Sequence, residues 1–245
     1  MRDSTRILVF TGAGISTESG ISDYRSKGGL WQRFQPVTIQ EFCSSKVKRR
    51  EYWETKKELY QALETAQPNS GHFAIVELEK LRKLKGLITQ NIDGLHTMAG
   101  IFPEKIIELH GNNRETICLS CQNITGWQET YHRLRQEEDD LCCHLCGGLL
   151  KPNTISFGQS LEQNKLDLAL RWSRDCDLVL AVGSTLIVEP AASIPRIAKS
   201  TGAKLVIITN SETPLDHIAD LKITESAGGA LEQAISVLTT KEQVL

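Results

Sequence analysis

The strongest constraint on the fold is an alternation of short apolar runs with amphipathic segments. Each apolar run ends in glycine or small polar residues, which is typical of a buried strand that enters a tight turn. The runs span residues 7–10, 86–89, 106–109, 177–182 and 204–208. Strands that alternate with helices favour a parallel sheet covered by helices on both faces. The chain is therefore predicted to be an α/β protein.

The segments between the runs have helical periodicity. The pattern predicts helices over residues 70–84, 190–199 and 230–238. Ser70 is a suitable N-cap for the first helix, and Pro190 suits the first turn of the second.

Two segments do not follow the alternation and are predicted to be insertions into the sheet domain. Residues 26–68 are rich in Trp, Tyr, Lys and Glu and are predicted to be helical, and residues 113–150 hold most of the cysteines. A chain of 245 residues has room for one large domain with a smaller inserted one. The sheet domain is then expected to comprise residues 1–25, 69–112 and 151–245.

Composition and charge argue against some classes of binding partner and some cellular locations. The net charge is -2, and 40% of the residues are hydrophobic, as expected of a globular protein with no nucleic-acid-binding or membrane-binding surface. No apolar stretch is long enough to cross a bilayer, and the N-terminus has no apolar signal segment. A cytoplasmic location is expected.

Five of the seven cysteines lie between residues 118 and 146, which indicates a metal site and not a disulfide framework. The pairs Cys118-x-x-Cys121 and Cys143-x-x-Cys146 predict four thiolate ligands to one tetrahedral zinc ion. Cys142 is an alternative to Cys143, although the glycines after Cys146 favour Cys143. Four thiolates leave no open position, so the zinc is expected to be structural.

The remaining motifs all follow predicted strands, where ligands bind in open α/β sheets. The turn Thr-Gly-Ala-Gly-Ile-Ser at 11–16 allows the backbone to approach a phosphate, and a following helix N-terminus would favour the anion. Its glycine spacing is not that of a dehydrogenase fingerprint. Residues 89–94 offer amide and carboxylate groups that can read a carboxamide. His110 is a candidate base near neutral pH.

Further along, Gly-Ser-Thr at 183–185 and Asn210 with Ser211 offer small polar groups for phosphate or ribose oxygens. Each motif taken alone also fits a plain turn, a helix cap or a hydrogen-bonded histidine.

The order of the motifs along the chain resembles the sirtuin family over residues 10 to 238. The order is GAGIS, GISDYR, TQNID, HG, the two cysteine pairs, Phe157-Gly158, GST and Asn210. The resemblance implies a Rossmann-like parallel sheet domain with a smaller inserted domain, which is built from a helical module and a zinc-ribbon module. It also implies NAD as co-substrate, one structural zinc ion, and an acyl-lysine protein or peptide as substrate. The implied activity removes acyl groups, in the first place acetyl, and releases nicotinamide and O-acyl-ADP-ribose.

The family's roles then carry over position by position. The resemblance implies His110 as general base, with Asn91 and Asp93 as further catalytic residues. The residues implied to contact NAD are Gly12, Ala13, Gly14, Ser16, Asp23, Tyr24, Arg25, Trp31, Gln90, Asn91, Ile92, Asp93, Gly183, Ser184, Thr185, Asn210, Ser211 and Ala227. Phe157, Gly158 and Val188 are expected to bind the peptide, with Trp53 and Lys56 at the acyl chain.

Some residues depart from the family pattern and leave alternatives open. Ser22 replaces a common proline, and Gln159 stands where glutamate is frequent. Desuccinylating members carry Tyr-x-x-Arg, whereas the nearest match here is Trp53-x-x-Lys56, so a preference for longer or acidic acyl groups stays possible. A protein ADP-ribosyltransferase on the same fold is the main alternative. The intact His110 and Asn91 disfavour a non-catalytic binding module, and the glycine spacing disfavours a dehydrogenase.

Overall fold

The computed structural model describes residues 1–23 and 34–242. In these residues the strands are β1 (Ile7–Thr11), β2 (Leu84–Thr89), β3 (Ile106–Glu108), β4 (Gly111–Cys118), β5 (Ile124–Gly126), β6 (Leu150–Thr154), β7 (Leu178–Val182), β8 (Lys204–Ile208) and β9 (Leu221–Ile223). The α-helices are α1 (Ile39–Ser44), α2 (Lys46–Thr65), α3 (Ser70–Lys80), α4 (Leu95–Ala99), α5 (Trp127–Arg135), α6 (Gln163–Arg174), α7 (Ser193–Ser200) and α8 (Ala227–Glu242).

The larger sheet is parallel throughout, with the strand order β3-β2-β1-β7-β8-β9. β1 and β7 lie at its centre, and every residue of both strands is buried. Strands buried on both faces need continuous apolar runs, which explains why the sequence reveals them. The predicted parallel sheet is confirmed, but β9 was not predicted because its three residues, Leu-Lys-Ile, form no apolar run.

Helices cover both faces of this sheet, as predicted. On one face, Ile75 of α3 and Leu231 of α8 pack with Ile7 and Val9 of β1. On the other face, residues of α6 and α7 pack with the alternate side chains of the same strands. The two faces form separate apolar clusters, which together hold the strands in place and fix where their carboxyl ends lie.

The predicted helix ends need correction. Helix α3 is capped by Asn69, whose side chain accepts a hydrogen bond from Gly71 N at 3.0 Å, and Ser70 is already helical. Helix α7 begins at Ser193 and not at Pro190. The residues before it form an irregular turn, in which Ala192 N donates to Val188 O and Ser193 N donates to Pro190 O. This turn faces the cavity described below.

The inserted segments build a second unit. α1 and α2 confirm the helical prediction for the described part of residues 26–68. A three-stranded antiparallel sheet, with the order β5-β4-β6, carries the cysteine pairs. An aromatic core joins the helices to this sheet and includes Phe42, Tyr60 and Trp127. β4 starts at Gly111 and β6 ends at Thr154, so the small sheet reaches slightly beyond the predicted limits of 113 and 150.

Within residues 1–23 and 34–242, no helix combines the length and the apolar character that crossing a bilayer requires.

The contact between β2 and α6 yields the first testable prediction. A Cβ added at Gly86 would lie 2.3 Å from Cζ3 of Trp172, so the ring packs directly on the strand backbone. Gly86→Ala is expected to lower the free energy of unfolding by about 1–3 kcal/mol through overpacking. Denaturant unfolding followed by tryptophan fluorescence measures this loss.

Gly229→Ala is the matched control, because a Cβ there would meet only the Ser226 hydroxyl, at 3.0 Å, and alanine is favourable inside helix α8. Equal stability of the Gly86 and Gly229 variants would contradict the packing that we describe.

Candidate active site and metal centre

One cavity of about 1150 Å³ lies at the carboxyl ends of the large sheet and extends under the small domain. It is larger than typical ligand sites of about 300–1,000 Å³. The cavity is lined by the turns after β1, β2, β7, β8 and β9, by α2, and by the segment after β6. A site between two structural units at this sheet edge suits an extended ligand and a second reactant.

The turns after β1 and β7 are in direct backbone contact. Gly14 N donates to Gly183 O at 2.8 Å, and Gly12 N donates to Val182 O at 3.0 Å. A Cβ at Gly12 would lie 2.8 Å from Gly183 O, and Gly183 itself has φ +63°. These positions require glycine because a side chain would push the turns apart.

The glycine turn does not lead into an α-helix as expected. Two short 3-10 turns, Ala13–Ile15 and Thr17–Ser19, follow it. The tight turns replace the anticipated helix N-terminus, so an anion here would meet individual N–H groups and hydroxyls, without a helix dipole behind them.

The turn after β2 is held by a buried hydrogen-bond network. Asn91 Nδ2 donates to Gly12 O and to Ser16 Oγ, both at 3.2 Å. Ser16 Oγ donates to Asp93 Oδ2 at 2.7 Å, and Leu95 N donates to Asp93 Oδ1 at 2.9 Å. Burial raises the pKa of Asp93, and these donors oppose the rise. The network orients Asn91, which faces the cavity.

His110 is fixed in one tautomer by the backbone. Its Nδ1 lies 3.0 Å from Gln90 O, and a carbonyl only accepts, so Nδ1 carries the proton. Nε2 therefore keeps its lone pair on a residue that lines the cavity. Burial lowers the pKa of His110 from its ordinary value of 6.5. The imidazole is thus a neutral base at pH 7.

Most of the predicted site residues line this one cavity. They are Gly12, Ala13, Gly14, Asp23, Lys56, Gln90, Asn91, Ile92, His110, Phe157, Gly158, Gly183, Ser184, Thr185, Val188, Asn210, Ser211 and Ala227. Ser16 and Asp93 are buried behind the lining and act on it through Asn91. Tyr24, Arg25 and Trp31 lie outside the described residues.

Trp53 is not part of the cavity lining. Its indole is 1% exposed and packs edge-on against Phe42 and Tyr52 in the core of the small domain. The helical period turns its neighbours Tyr52 and Lys56 to the cavity instead. Lys56 is buried, and its Nζ donates to Asn113 Oδ1 at 3.0 Å.

Several lining residues were not predicted from the sequence. Glu225 and Ser226 follow the unpredicted strand β9, and Thr154 and Ser156 surround the end of β6. The run of small polar residues before Ala227 resembles the other strand-end turns, and it was the available signal for β9.

The four predicted zinc ligands form one cluster. The Sγ atoms of Cys118, Cys121, Cys143 and Cys146 all lie within 4.8 Å of one another. Cys118 Sγ and Cys146 Sγ are 3.5 Å apart, and Cys121 Sγ and Cys143 Sγ are 3.8 Å apart. Tetrahedral zinc with Zn–S bonds of about 2.3 Å needs S···S distances of about 3.8 Å. The donor set therefore fits one structural zinc ion.

Cys142 is not in this cluster, which decides between the two alternatives. Its Sγ lies 3.6 Å from Asp140 O, whereas Cys143 contributes the fourth sulfur of the cluster.

Known proteins resemble this chain over nearly its whole length. A family model described as the Sir2 family matches residues 12–190. An NAD-dependent protein deacetylase of Thermodesulfovibrio yellowstonii is 47% identical, with 99% of this chain and 94% of the relative covered. An NAD-dependent protein deacylase 2 of Archaeoglobus fulgidus is 40% identical, with 95% and 90% covered.

Solved structures agree with this similarity. A Sir2 homolog in complex with NAD has a TM-score of 0.85 and 35% identity, and the match covers 98% of this chain and 91% of that chain. A Sir2 variant with a deacetylated p53 peptide and 3′-O-acetyl ADP-ribose has a TM-score of 0.89 and 34% identity, and the match covers 96% and 94%.

The cysteine cluster yields a prediction with a built-in control. Cys143→Ser is expected to lose the bound zinc and to unfold the small sheet, because removal of one of four thiolates breaks a closed structural site. Cys142→Ser is expected to keep one zinc per chain and the parent's unfolding temperature. Elemental analysis and thermal unfolding measure both. Zinc retained by the Cys143 variant and lost by the Cys142 variant would reverse the assignment.

Proposed function

The chain belongs to the Sir2 family, and from that premise we propose that the cavity at the sheet edge is its active site. The protein is an NAD-dependent protein-lysine deacylase, which releases nicotinamide and O-acyl-ADP-ribose. The observation that carries the proposal is His110. Its Nδ1 is fixed on the Gln90 carbonyl, and its Nε2 is free to accept a proton beside the glycine turns.

The residues that line the cavity fit NAD by their chemistry. The Ser184 and Thr185 hydroxyls suit phosphate oxygens. Ser184 Oγ accepts from Gln90 Nε2 and from Leu186 N, so its own hydrogen remains to donate, whereas the backbone N–H groups of Gly12, Gly14 and Gly183 are already bonded within the protein. Asn210 and Ser211 lie at the end of β8, where they suit the adenosine side. When bound, NAD supplies a ribose carbon that receives the acyl oxygen and a nicotinamide group that leaves.

Asn91 and Ile92 are proposed to hold the nicotinamide end. The Asn91 amide nitrogen is bonded to Gly12 O and Ser16 Oγ, so its Oδ1 remains to accept from a carboxamide. Asp93 keeps Ser16 oriented and so keeps Asn91 in one rotamer. We therefore assign Asp93 and Ser16 to positioning and Asn91 to contact.

His110 is proposed as the general base that takes a proton at Nε2 from a ribose hydroxyl. The Gln90 carbonyl accepts from Nδ1–H and stabilises the imidazolium that forms. Burial lowers the pKa of His110, so the ring is unprotonated at neutral pH before the step. Leu109 and Gly111 flank it, between the end of β3 and the start of β4.

The peptide is proposed to lie between Phe157-Gly158 and Val188, which form two rims of the cavity. Helix α1 holds the first rim, since Ile39 N donates to Phe157 O at 2.9 Å and Gln40 Nε2 donates to Gly158 O at 3.3 Å. An extended segment between two fixed rims matches recognition by strand addition. The acyl-lysine side chain would then enter toward His110.

A cytoplasmic location stays a prediction.

His110→Ala tests the assignment of the base. The variant is expected to lose about 10²–10⁴-fold in kcat for peptide deacylation, because a positioned base contributes that much. NAD affinity is expected to change little, because the glycine turns remain. Nicotinamide release and isothermal titration with NAD measure the two quantities.

His217→Ala is the control, since His217 is exposed and outside the cavity lining. Full turnover by the His110 variant would refute its role. Radiolabelled NAD separates the alternative activity: label fixed on protein would favour ADP-ribosyl transfer, and label in a soluble acyl-ADP-ribose favours deacylation.

A second candidate concerns the acyl group. Lys56 lines the cavity, and Lys151 is buried nearby, with its Nζ donating to the Pro152 and Thr154 carbonyls. Among the described residues, no carboxylate forms an ion pair with either amine. Burial lowers the pKa of Lys56 to about 7 and that of Lys151 to about 8. We propose that an acyl chain with a terminal carboxylate can pair with Lys56.

Lys56→Gln tests this preference. The ratio of kcat/KM for a succinyl-lysine peptide to that for an acetyl-lysine peptide is expected to fall at least about tenfold, because a charge-assisted hydrogen bond is lost. In the parent the same ratio is expected to fall as the pH rises from 6.5 to 8.5, since Lys56 then loses its proton. Lys57→Gln, on the same helix but outside the lining, is the control. An unchanged ratio in Lys56→Gln would exclude the preference.

A further inference from the structure

The three residues after Gly111 join the nicotinamide side of the cavity to both parts of the small domain. Asn113 N donates to Ile92 O at 2.7 Å, and Arg114 Nε donates to Asp93 O at 2.7 Å. Both hydrogen bonds attach the start of β4 to the turn after β2.

The same segment also contacts helix α2. Lys56 Nζ donates to Asn113 Oδ1 at 3.0 Å, and Arg114 Nη2 lies 3.5 Å from Leu63 O in the last turn of the helix. Carbonyls in the last turn of a helix have no intrahelical donor, so a guanidinium there satisfies one of them. Arg114 therefore bridges the end of α2 and the turn that carries Asn91 and Asp93.

The neighbouring backbone is built to admit the arginine. Gly94 has φ +71°, and a Cβ there would lie 2.8 Å from Arg114 Cδ. Asn112 Oδ1 accepts from Arg114 N at 2.8 Å, which sets the direction of the side chain. A glycine and a side-chain cap thus hold the guanidinium against the turn.

Arg114 also sets the electrostatic surroundings of Asp93. Burial raises the pKa of Asp93, while Leu95 N, Ser16 and the charge of Arg114 oppose the rise. Among the residues that the structure describes, the other charged group that acts on Asp93 is Glu108 on β3. Its carboxylate form has the same sign, and burial raises its pKa to about 7. Arg114 is therefore the cation that favours the carboxylate form of Asp93.

We propose that Arg114 is a positioning residue for the nicotinamide pocket: it fixes the turn at residues 90–94 and favours the carboxylate form of Asp93, so that Ser16 and Asn91 stay oriented. The proposal rests on the proposed function for its effect on turnover. It places a residue of the small domain in control of a hydrogen-bond network in the large sheet.

The test compares Arg114→Met with Arg114→Lys. Arg114→Met removes the charge and both carbonyl contacts, so kcat/KM for NAD is expected to fall at least about tenfold, the effect of losing a charge-assisted hydrogen bond. The acid limb of the pH profile of kcat/KM is expected to move to higher pH in this variant, because Asp93 then accepts a proton more readily. Arg114→Lys keeps the charge and is expected to keep the limb near that of the parent. Arg171→Met, on the exposed side of α6, is the control.

A second measurement does not depend on turnover. Carboxyl resonances of 13C-labelled aspartate report the pKa of Asp93 directly, and this pKa is expected to rise in Arg114→Met and to stay near the parent value in Arg114→Lys. Zinc content and unfolding temperature show whether each variant is folded.

The outcomes separate the two proposals. A higher Asp93 pKa in Arg114→Met that Arg114→Lys restores supports the role of Arg114, even if the parent turns over no acyl peptide and the proposed function fails. A parent that is active, with an Asp93 pKa and an acid limb that Arg114→Met leaves in place, overturns the role of Arg114 and leaves the proposed function standing.

Discussion

The backbone contact between the turns after β1 and β7 is the constraint on which the cavity depends. The two strands are neighbours at the centre of a parallel sheet, so their carboxyl ends emerge side by side. The turns that follow these two strands touch each other at their bases and separate above this contact to form the cleft. Gly12, Gly14 and Gly183 allow the close contact, because they carry no Cβ. The turn after β2 is tied to the same point by Asn91 Nδ2 on Gly12 O. The reactive side chains are thus positioned by backbone geometry before any ligand binds, as preorganised catalysis requires.

Strand β4 connects the cavity to the cysteine cluster and is the second constraint on the site. It begins one residue after His110 and ends at the zinc ligand Cys118. The closed tetrathiolate site has no position for a substrate, so its effect on activity must pass through structure. The shortest covalent route is this strand, and two residues near its start, Asn113 and Arg114, bond the turn after β2. The proposed role of Arg114 would make the inserted domain act on the chemistry through these two residues.

The sequence predicted those parts of the fold and site that have a local signal. Buried parallel strands need long apolar runs, and the paired cysteines need a fixed spacing. Strands β1 and β7 and the cysteine cluster could therefore be predicted from the sequence. Strand β9 is too short to carry such a run, and the start of α7 depends on a turn shaped by the cavity. Trp53 was placed by a motif spacing, whereas the packing of α2 decides that it is buried. Arg114 had no signal at all, because its partners Leu63 and Asp93 are distant in the chain.

The ionisable groups of the cavity share one physical tendency that shapes its function. Burial raises the pKa of Asp93 and lowers the pKa values of His110 and Lys56, so each group is moved toward its neutral form. Lys56 is the one lysine or arginine among the described lining residues. The backbone N–H groups of Gly12, Gly14 and Gly183 are hydrogen-bonded within the protein, so they cost little to bury. An unprotonated His110 can accept a proton at Nε2, and the Gln90 carbonyl that holds Nδ1–H then stabilises the imidazolium that forms.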